Sequence, residues 1–205
     1  MTEKKVFFQS GELKIEGLLN NLDGDRAMLV THPHPLYGGS MDNNVVDSVV
    51  NAYCKKGYST LRFNFRGVGQ SQGSHEQGTG EQEDVKGALS YLSSLGKSSI
   101  DLAGYSFGAW VNAQGLDDFA NADRVIMISP PVGFIDFSFL GYSPGIKLVI
   151  SGSEDDIAPP AMIREMLPSW NPDANLEIIK GADHFYGGKL RDLVDIIQNF
   201  LRGSQ

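Results

Sequence analysis

Short apolar runs alternate with segments of helical spacing along most of this 205-residue chain. Eight of the runs are bounded by turn-forming residues, which predicts strands. The first two suit an antiparallel hairpin. The later alternation of strand and helix predicts a mostly parallel sheet with helices on both faces, which is an α/β fold. The eight predicted strands are residues 4–8, 14–19, 27–31, 59–63, 100–103, 124–128, 147–151 and 176–179.

Three further segments carry apolar residues on one helical face. The second of them also has a predicted start signal, a capping box formed by Thr79 and Gln82, with acidic residues in the first turn. No linker, internal repeat or charge run divides the chain, so we expect residues 1–205 to form a single domain. The three faces are Val46, Val49, Val50 and Tyr53; Val85, Ala88, Leu89 and Leu92; and Leu190, Leu193, Val194, Ile197, Phe200 and Leu201.

The charge balance and the apolar content argue against several classes of protein. A net charge of −8, from 17 basic and 25 acidic residues, is unsuited to a nucleic-acid partner, because phosphates attract basic surfaces. No apolar stretch approaches the roughly 20 residues that cross a bilayer, and the N-terminus does not resemble a secretory signal. The lone cysteine, Cys54, cannot form an internal disulfide, which favours the cytoplasm, and its place on an apolar helix face predicts a small buried side chain.

Three segments share the glycine–any–serine–any–glycine pattern by which hydrolases present a nucleophilic serine: GQSQG at 69–73, GYSFG at 104–108 and GYSPG at 141–145. A nucleophile elbow needs a strand before the serine, a helix after it and a free N–H on the next residue. Pro144 follows Ser143 and has no N–H, while a polar, glycine-rich segment follows Ser71. Only Ser106 has both flanks, so it is the predicted nucleophile, with the Phe107 N–H as an oxyanion donor.

A nucleophilic serine needs a base and a carboxylate that orients it. His184 lies in KGADHFYGG, after the last predicted strand and before the C-terminal helix. Glu154, Asp155 and Asp156 all follow the strand before that one. Because ligands bind beyond the carboxyl ends of parallel strands, these groups are expected at the same edge as Ser106. The chain order of serine, acid and histidine is that of α/β-hydrolases.

With THPHPLYGGSMDN, RFNFRGVGQSQG, GSEDDIAP and GADHF, these motifs make the chain resemble the α/β-hydrolase superfamily from about Val6 to Leu201. It is most similar to small, esterase-like serine hydrolases with an HPHPxxGG turn. The resemblance implies the α/β-hydrolase fold, with about seven to eight strands. Larger relatives often carry a helical lid between the strands that here end at Ile128 and begin near Lys147, but this segment is too short, so no substantial lid is expected. It implies Asp155 as the acid, three residues after a glycine and four before a proline, with Asp156 as the fallback.

The resemblance also implies that the HPHPLYGG turn supplies the second oxyanion N–H. Relatives often have His-Gly at this place, with the donor on the following residue. Here the matching pair is His34–Pro35, so Leu36 is the expected donor. Tyr37 is the alternative if the turn is shifted by one residue.

Two cofactor interpretations of the early motifs are weak. His32 and His34 would share one face of an extended strand, but no third ligand has suitable spacing, so we expect no metal and interpret both as structural histidines. Gly67 and Gly69 follow a strand, but the third glycine of a dinucleotide motif is misplaced at Gly73 and no helix opens there. No cofactor is therefore expected.

The remaining polar residues of these motifs have structural interpretations. We interpret GVGQSQG as a backbone turn, with Arg66 paired to a carboxylate such as Glu81. His75, in the polar loop, could overhang the pocket, but we interpret it as a solvated surface residue.

These residues predict a serine hydrolase that cleaves small, short-chain carboxylic esters through an acyl-enzyme on Ser106. A thioesterase or peptidase would use the same triad, and a non-catalytic binding protein could share the scaffold. The partner is expected to be a small-molecule ester, with no nucleic acid or membrane, and the chain is either a monomer or a homodimer. The candidate substrate-pocket residues are Tyr37, Phe134, Phe137, Phe139 and Tyr142.

Overall fold

The computed structural model describes residues 2–119 and 121–203, and eight strands in it form one sheet. The spatial order is β1-β2-β4-β3-β5-β6-β7-β8. β2 pairs antiparallel with both β1 and β4, and every other pair is parallel. The strands are β1 (Lys4–Ser10), β2 (Leu13–Asn20), β3 (Arg26–Thr31), β4 (Ser59–Phe63), β5 (Ser99–Tyr105), β6 (Ala122–Ile128), β7 (Ile146–Gly152) and β8 (Asn175–Ile179).

Within these described residues, five α-helices cover the sheet, and the three predicted apolar faces lie on α1, α2 and α5. The predicted capping box of α2 is wrong by one residue. Gly78 caps the helix, and Glu81 rather than Gln82 reaches back, accepting the Gly78 N–H at 2.7 Å. The helices are α1 (Asn44–Cys54), α2 (Thr79–Ser94), α3 (Phe107–Gln114), α4 (Pro160–Trp170) and α5 (Leu190–Arg202).

Two hydrophobic cores lie on opposite faces of the sheet. α2, α3 and α4 pack on one face, and α1 and α5 pack on the other. The central strands β3, β5 and β6 are buried on both sides, which is why their sequences are continuous apolar runs rather than alternating ones. Cys54 is half-buried beside the second core, as a small packed side chain.

The parallel strands all end at one edge of the sheet, which brings the segments after β3, β4, β5, β6, β7 and β8 together. The β6–β7 connection, residues 129–145, contains no helix. This confirms the predicted fold class: a mostly parallel eight-stranded sheet with helices on both faces and no substantial lid.

Candidate active site

Ser106 occupies the sharp turn between β5 and α3. Its backbone has φ +54° and ψ −119°, a strained conformation for a residue with a Cβ and the one expected of a nucleophile elbow. The flanking glycines allow the close packing that the turn requires. A Cβ on Gly108 would lie 2.5 Å from Thr31 Oγ1, and a Cβ on Gly104 would lie 2.7 Å from the Ala109 backbone nitrogen.

The two look-alike serines have other surroundings. Ser71 lies in the loop after β4, where its hydroxyl donates to the carbonyl of Asn64 at 2.6 Å and accepts the Glu16 N–H at 3.1 Å. Ser143 lies in the β6–β7 connection, and its N–H donates to the Trp170 carbonyl. Neither serine occupies a sharp turn that leads directly from a strand into a helix.

Three of the predicted site residues form a continuous hydrogen-bonded series. Ser106 Oγ lies 2.9 Å from Nε2 of His184, and His184 Nδ1 lies 3.0 Å from each carboxylate oxygen of Asp155. All three side chains are buried. Asp156, the fallback, is exposed and makes no contact in this series.

Local hydrogen bonds hold the acid and the histidine in place. Asp155 Oδ1 accepts the N–H groups of Ile157 at 3.0 Å and Ala158 at 2.7 Å. The Tyr105 hydroxyl donates to the backbone carbonyl of His184 at 2.8 Å. Burial by itself would raise the pKa of Asp155, but the hydrogen bond and charge of His184 and the Ala158 N–H outweigh it, so the pKa lies below its ordinary value. Asp155 is therefore an anion at neutral pH.

Of the three N–H groups predicted as oxyanion donors, one lacks an acceptor in the described part of the chain and the other two already donate a hydrogen bond within the protein. The Phe107 N–H has no acceptor among the described residues. Leu36, the expected second donor, gives its N–H to Nδ1 of the His34 ring at 3.2 Å, and Tyr37 gives its own to the His34 carbonyl at 3.1 Å. The Leu36 expectation and its Tyr37 alternative therefore both fail, because the short 3₁₀ turn Pro35–Tyr37 uses those N–H groups itself.

His34 lies beside the elbow. Its ring packs on the Phe107 ring with 4.6 Å between centroids, and its backbone N–H has no acceptor among the described residues. Burial is the largest cause that lowers the pKa of His34, and the neighbouring His75 adds to it while Glu81 opposes it. The neutral ring has its proton on Nε2, since Nδ1 accepts the Leu36 N–H.

The prediction that His75 is a solvated surface residue is wrong. Its side chain is only 13% exposed and packs 5.0 Å from the His34 ring and 5.6 Å from the Phe107 ring. Its Nδ1 lies 2.8 Å from Glu81 Oε1, although not in line for a hydrogen bond. Two imidazoles thus pack on Phe107 in the elbow, and the buried carboxylate of Glu81 lies beside one of them.

The predicted pairing of Arg66 with Glu81 is also wrong. Arg66 binds the fully buried Asp84 at 2.9 Å and the half-exposed Glu76 at 3.0 Å. Glu81 instead accepts backbone N–H groups of Glu76 and Gly78. The reason is that Asp84 lies one helical turn further along α2, where its carboxylate faces the end of β4.

His32 is a structural histidine, as predicted. It is fully buried, with Nδ1 2.6 Å from the Pro33 carbonyl and Nε2 accepting the Phe65 N–H at 3.0 Å. Among the described residues, no group of three histidine, cysteine or acidic side chains is arranged to hold a metal ion.

A cleft of about 630 Å³ opens above Ser106. Tyr37 and Phe134, two predicted pocket residues, line it and are 88% and 76% exposed. The prediction for Phe137 is wrong: it is buried and packs on Trp170 and Phe139. Neither Phe139 nor Tyr142 lines the cleft.

Three apolar lining residues escaped the sequence analysis. Ile135 follows Phe134 in the β6–β7 connection. Ile157 and Phe185 stand two residues after Asp155 and one after His184. Their closeness in sequence to two predicted catalytic residues was the signal that could have identified Ile157 and Phe185 as lining residues.

Within the described residues, no helix has the length and apolar character that would let it span a bilayer.

Known proteins resemble this chain over nearly its whole length, although no family model matches it. The uncharacterized protein RP471 of Rickettsia prowazekii is 34% identical, over 96% of this chain and 88% of that protein. An α/β serine hydrolase homologue from Coxiella burnetii has 32% identity and a TM-score of 0.90, covering 98% of both chains. XC6422 from Xanthomonas campestris, an α/β serine hydrolase without a lid, has 30% identity and a TM-score of 0.87, covering 98% of this chain and 94% of that one.

The sheet topology and a serine at the sharp turn from β5 into α3 are those of a hydrolase of the α/β class. Sequence identities of 30 to 34% over nearly the full length show the family. The chain belongs to the α/β serine hydrolases. With the Xanthomonas protein it shares the lack of a lid, here in residues 129–145.

Proposed function

We propose that this protein hydrolyses uncharged carboxylic esters through an acyl-enzyme on Ser106. The observation that carries the proposal is the hydrogen-bonded series from Asp155 through His184 to Ser106, with contacts of 2.9 to 3.0 Å. It lies at the floor of an open apolar cleft. A buried serine, imidazole and carboxylate in this geometry can move one proton away from the hydroxyl as it attacks a carbonyl.

In the acylation step, Ser106 Oγ adds to the ester carbonyl carbon while Nε2 of His184 takes the hydroxyl proton. The anionic Asp155 holds Nδ1–H and stabilises the imidazolium without taking its proton. The tetrahedral intermediate then collapses. The bond from carbon to the leaving oxygen breaks, and His184 returns the proton to that oxygen, which leaves as the alcohol.

The developing oxyanion needs two N–H donors. We assign them to the backbones of Phe107 and His34, because both residues line the cleft beside Ser106 and both N–H groups lack an acceptor among the described residues. Each donor of this kind contributes on the order of 10² to 10³ in rate. The His34 ring accepts the Leu36 N–H and packs on the Phe107 ring, and these contacts fix the position of the two donors relative to each other.

Deacylation repeats the chemistry with water as the nucleophile. His184 removes a proton from water, which attacks the acyl carbon, and the serine oxygen leaves and is reprotonated. Each step uses side chains and backbone N–H groups of this chain, together with water. Thioester or amide hydrolysis would use the same residues, so a substrate panel is what separates these activities. We place this activity in the cytoplasm, on the ground of the single cysteine.

Turnover of a short-chain p-nitrophenyl ester and labelling by a fluorophosphonate test the proposal together. Ser106→Ala is expected to lose labelling and to reduce kcat by about 10⁴ or more. The matched control is Ser143→Ala, which alters the same sequence motif at a site whose hydroxyl makes no hydrogen bond among the described residues. It should keep full activity.

Two results would contradict the proposal. Retained activity in Ser106→Ala would place the nucleophile elsewhere. Absence of both turnover and labelling in the unaltered protein would favour a binding protein on a hydrolase scaffold.

A further inference from the structure

The two halves of an ester must lie on different sides of this cleft. His184 has to return its proton to the leaving oxygen, so the alcohol half of the substrate lies on the His184 side. The oxyanion lies toward Phe107 and His34, and the acyl half takes the remaining direction. This inference rests on the proposed function, because it uses His184 as the proton donor.

The His184 side of the cleft is apolar. Phe185 lines it and is 65% exposed, with its ring edge-on to the His184 ring at 5.7 Å between centroids. Ile157, on the loop that carries Asp155, lines the same cleft. Asp183 fixes the backbone beneath Phe185 by accepting its N–H at 3.0 Å. A large aromatic surface is thus exposed next to the proton donor, and among the described residues the imidazole is the only ring in contact with it.

Charge on this side is negative. Exposed Asp156 precedes Ile157, and exposed Asp183 stands two residues before Phe185. The charge of Asp183 is felt at Tyr105, which lines the cleft. Burial is the largest cause that raises the pKa of the Tyr105 phenol, and the charges of Asp155 and Asp183 raise it further. No lysine or arginine is among the residues that line the cleft within the described chain.

Two lysines do lie at the ends of the loop between β8 and α5, which also carries His184 and Phe185, but neither lines the cleft. Lys189 is 3.7 Å from Asp192, and Lys180 follows β8. Phosphate recognition requires clustered cationic donors or a helix N-terminus aimed at the ligand, and the alcohol side has neither among its lining residues.

We propose that Phe185 selects the leaving group, and that the natural substrate has an uncharged, apolar alcohol half rather than an anionic carrier such as coenzyme A. Phe185 stacks on the alcohol during acylation. Once the alcohol has left, Phe185 has no substrate to contact, so the residue acts on acylation and not on deacylation.

A matched pair of thioesters tests the charge selection. S-butyryl-pantetheine and butyryl-coenzyme A share the acyl group, the thioester bond and the uncharged pantetheine arm, and they differ in the charged nucleotide. We expect kcat/KM to be about tenfold or more higher for the neutral thioester, and the ratio to shrink as salt screens the carboxylates. Equal values, or a preference for the coenzyme A ester, would overturn the charge part of the proposal.

Phe185→Ala tests the leaving-group contact, with butyrate esters of phenol and of methanol as substrates. The variant should lower kcat/KM for the phenyl ester about tenfold and leave the methyl ester nearly unchanged. The rate of deacylation, measured as the steady-state rate that follows the burst with p-nitrophenyl butyrate, should not change. Phe185→Leu should recover most of the loss, because it restores apolar surface.

Phe134→Ala is the matched control, since it removes a similarly exposed phenylalanine that lines the cleft from the β6–β7 connection. It should leave the ratio of kcat/KM for the phenyl ester to kcat/KM for the methyl ester unchanged. If Phe185→Ala lowers kcat/KM equally for the phenyl and the methyl ester, Phe185 only supports His184 and its assignment as the leaving-group contact is wrong. Fluorophosphonate labelling of Ser106 in every variant separates this failure from failure of the proposed function.

Discussion

Both carboxylate oxygens of Asp155 lie 3.0 Å from Nδ1 of His184. The same carboxylate accepts two backbone N–H groups from its own loop, at Ile157 and Ala158. The acid is therefore fixed by its loop before it meets the imidazole. An anion held in this way keeps the proton of neutral His184 on Nδ1 and leaves Nε2 free to accept from Ser106.

Replacing that anion by an amide should cost most of the activity. In Asp155→Asn we expect kcat to fall on the order of 10³ to 10⁴ with KM little changed, because the ring loses the partner that fixes its tautomer and stabilises its charged form. Steady-state kinetics on a p-nitrophenyl ester measure this. Asp156→Asn, one residue away and exposed, should stay within about twofold of the unaltered protein. A larger loss in Asp156→Asn than in Asp155→Asn would reverse the assignment of the acid.

The turn that carries His34 has no room for a side chain at Gly39. A Cβ there would overlap the Pro33 carbonyl and lie 2.7 Å from the His34 carbonyl oxygen. Gly39→Ala should displace the proposed His34 donor and lower kcat/KM about 100-fold, the usual consequence of a shift near 1 Å. Gly38→Ala is the control: its φ of +80° costs about 1 to 2 kcal/mol of stability, but open space surrounds it. Equal losses of activity in both variants would argue against His34 as the donor.

His32 should make folding sensitive to mild acid. Burial is the main cause that lowers its pKa from 6.5 to about 4, opposed by the bond to the Pro33 carbonyl. Because the folded pKa is below the unfolded one, the neutral ring stabilises the fold above pH 6.5. That stability is lost as pH falls toward 4. The full loss is about 3 kcal/mol.

Urea unfolding at pH 7, 6, 5 and 4 measures that loss. His32→Gln should be less stable at pH 7 and should show a shallower decline with acid than the unaltered protein. The same slope in both proteins would mean that other groups cause the acid sensitivity.

The ion pair of Arg66 with Asp84 should dominate the anchoring of the loop after β4. Asp84→Asn leaves a guanidinium buried beside an uncharged amide, which should lower the free energy of unfolding by about 3 to 5 kcal/mol. Glu76→Gln removes the half-exposed partner of the same arginine and should cost less than about 1 kcal/mol. Urea unfolding at pH 7 compares the two. A larger cost for Glu76→Gln would show that the exposed pair carries the anchoring.

The sequence predicted all eight strands, and the ends differ from the structure by no more than two residues. Buried strands of α/β proteins are continuous apolar runs with turn residues on either side, so their pattern is local. The candidate triad was also accessible, because chain order and strand ends place serine, acid and histidine at one edge of the sheet.

The predictions that were wrong concern the contacts of particular groups. Leu36 was predicted to have a free N–H, but His34 turns back and accepts it. Arg66 was paired with Glu81, yet the turn of α2 brings Asp84 to it instead. A sequence gives the residue types in a segment, while such contacts depend on the torsion angles and on where two distant segments meet.

The sequence by itself determined the alternation of strands and helices, the elbow at Ser106 and the residue types of the candidate triad, because each follows from a local pattern. Only the tertiary structure decided which N–H groups stay free and which aromatic rings face the cleft. Phe137 and Phe185 show the reason. Both are phenylalanines beside polar residues in loops, and only packing buries the first against Trp170 and leaves the second open beside His184.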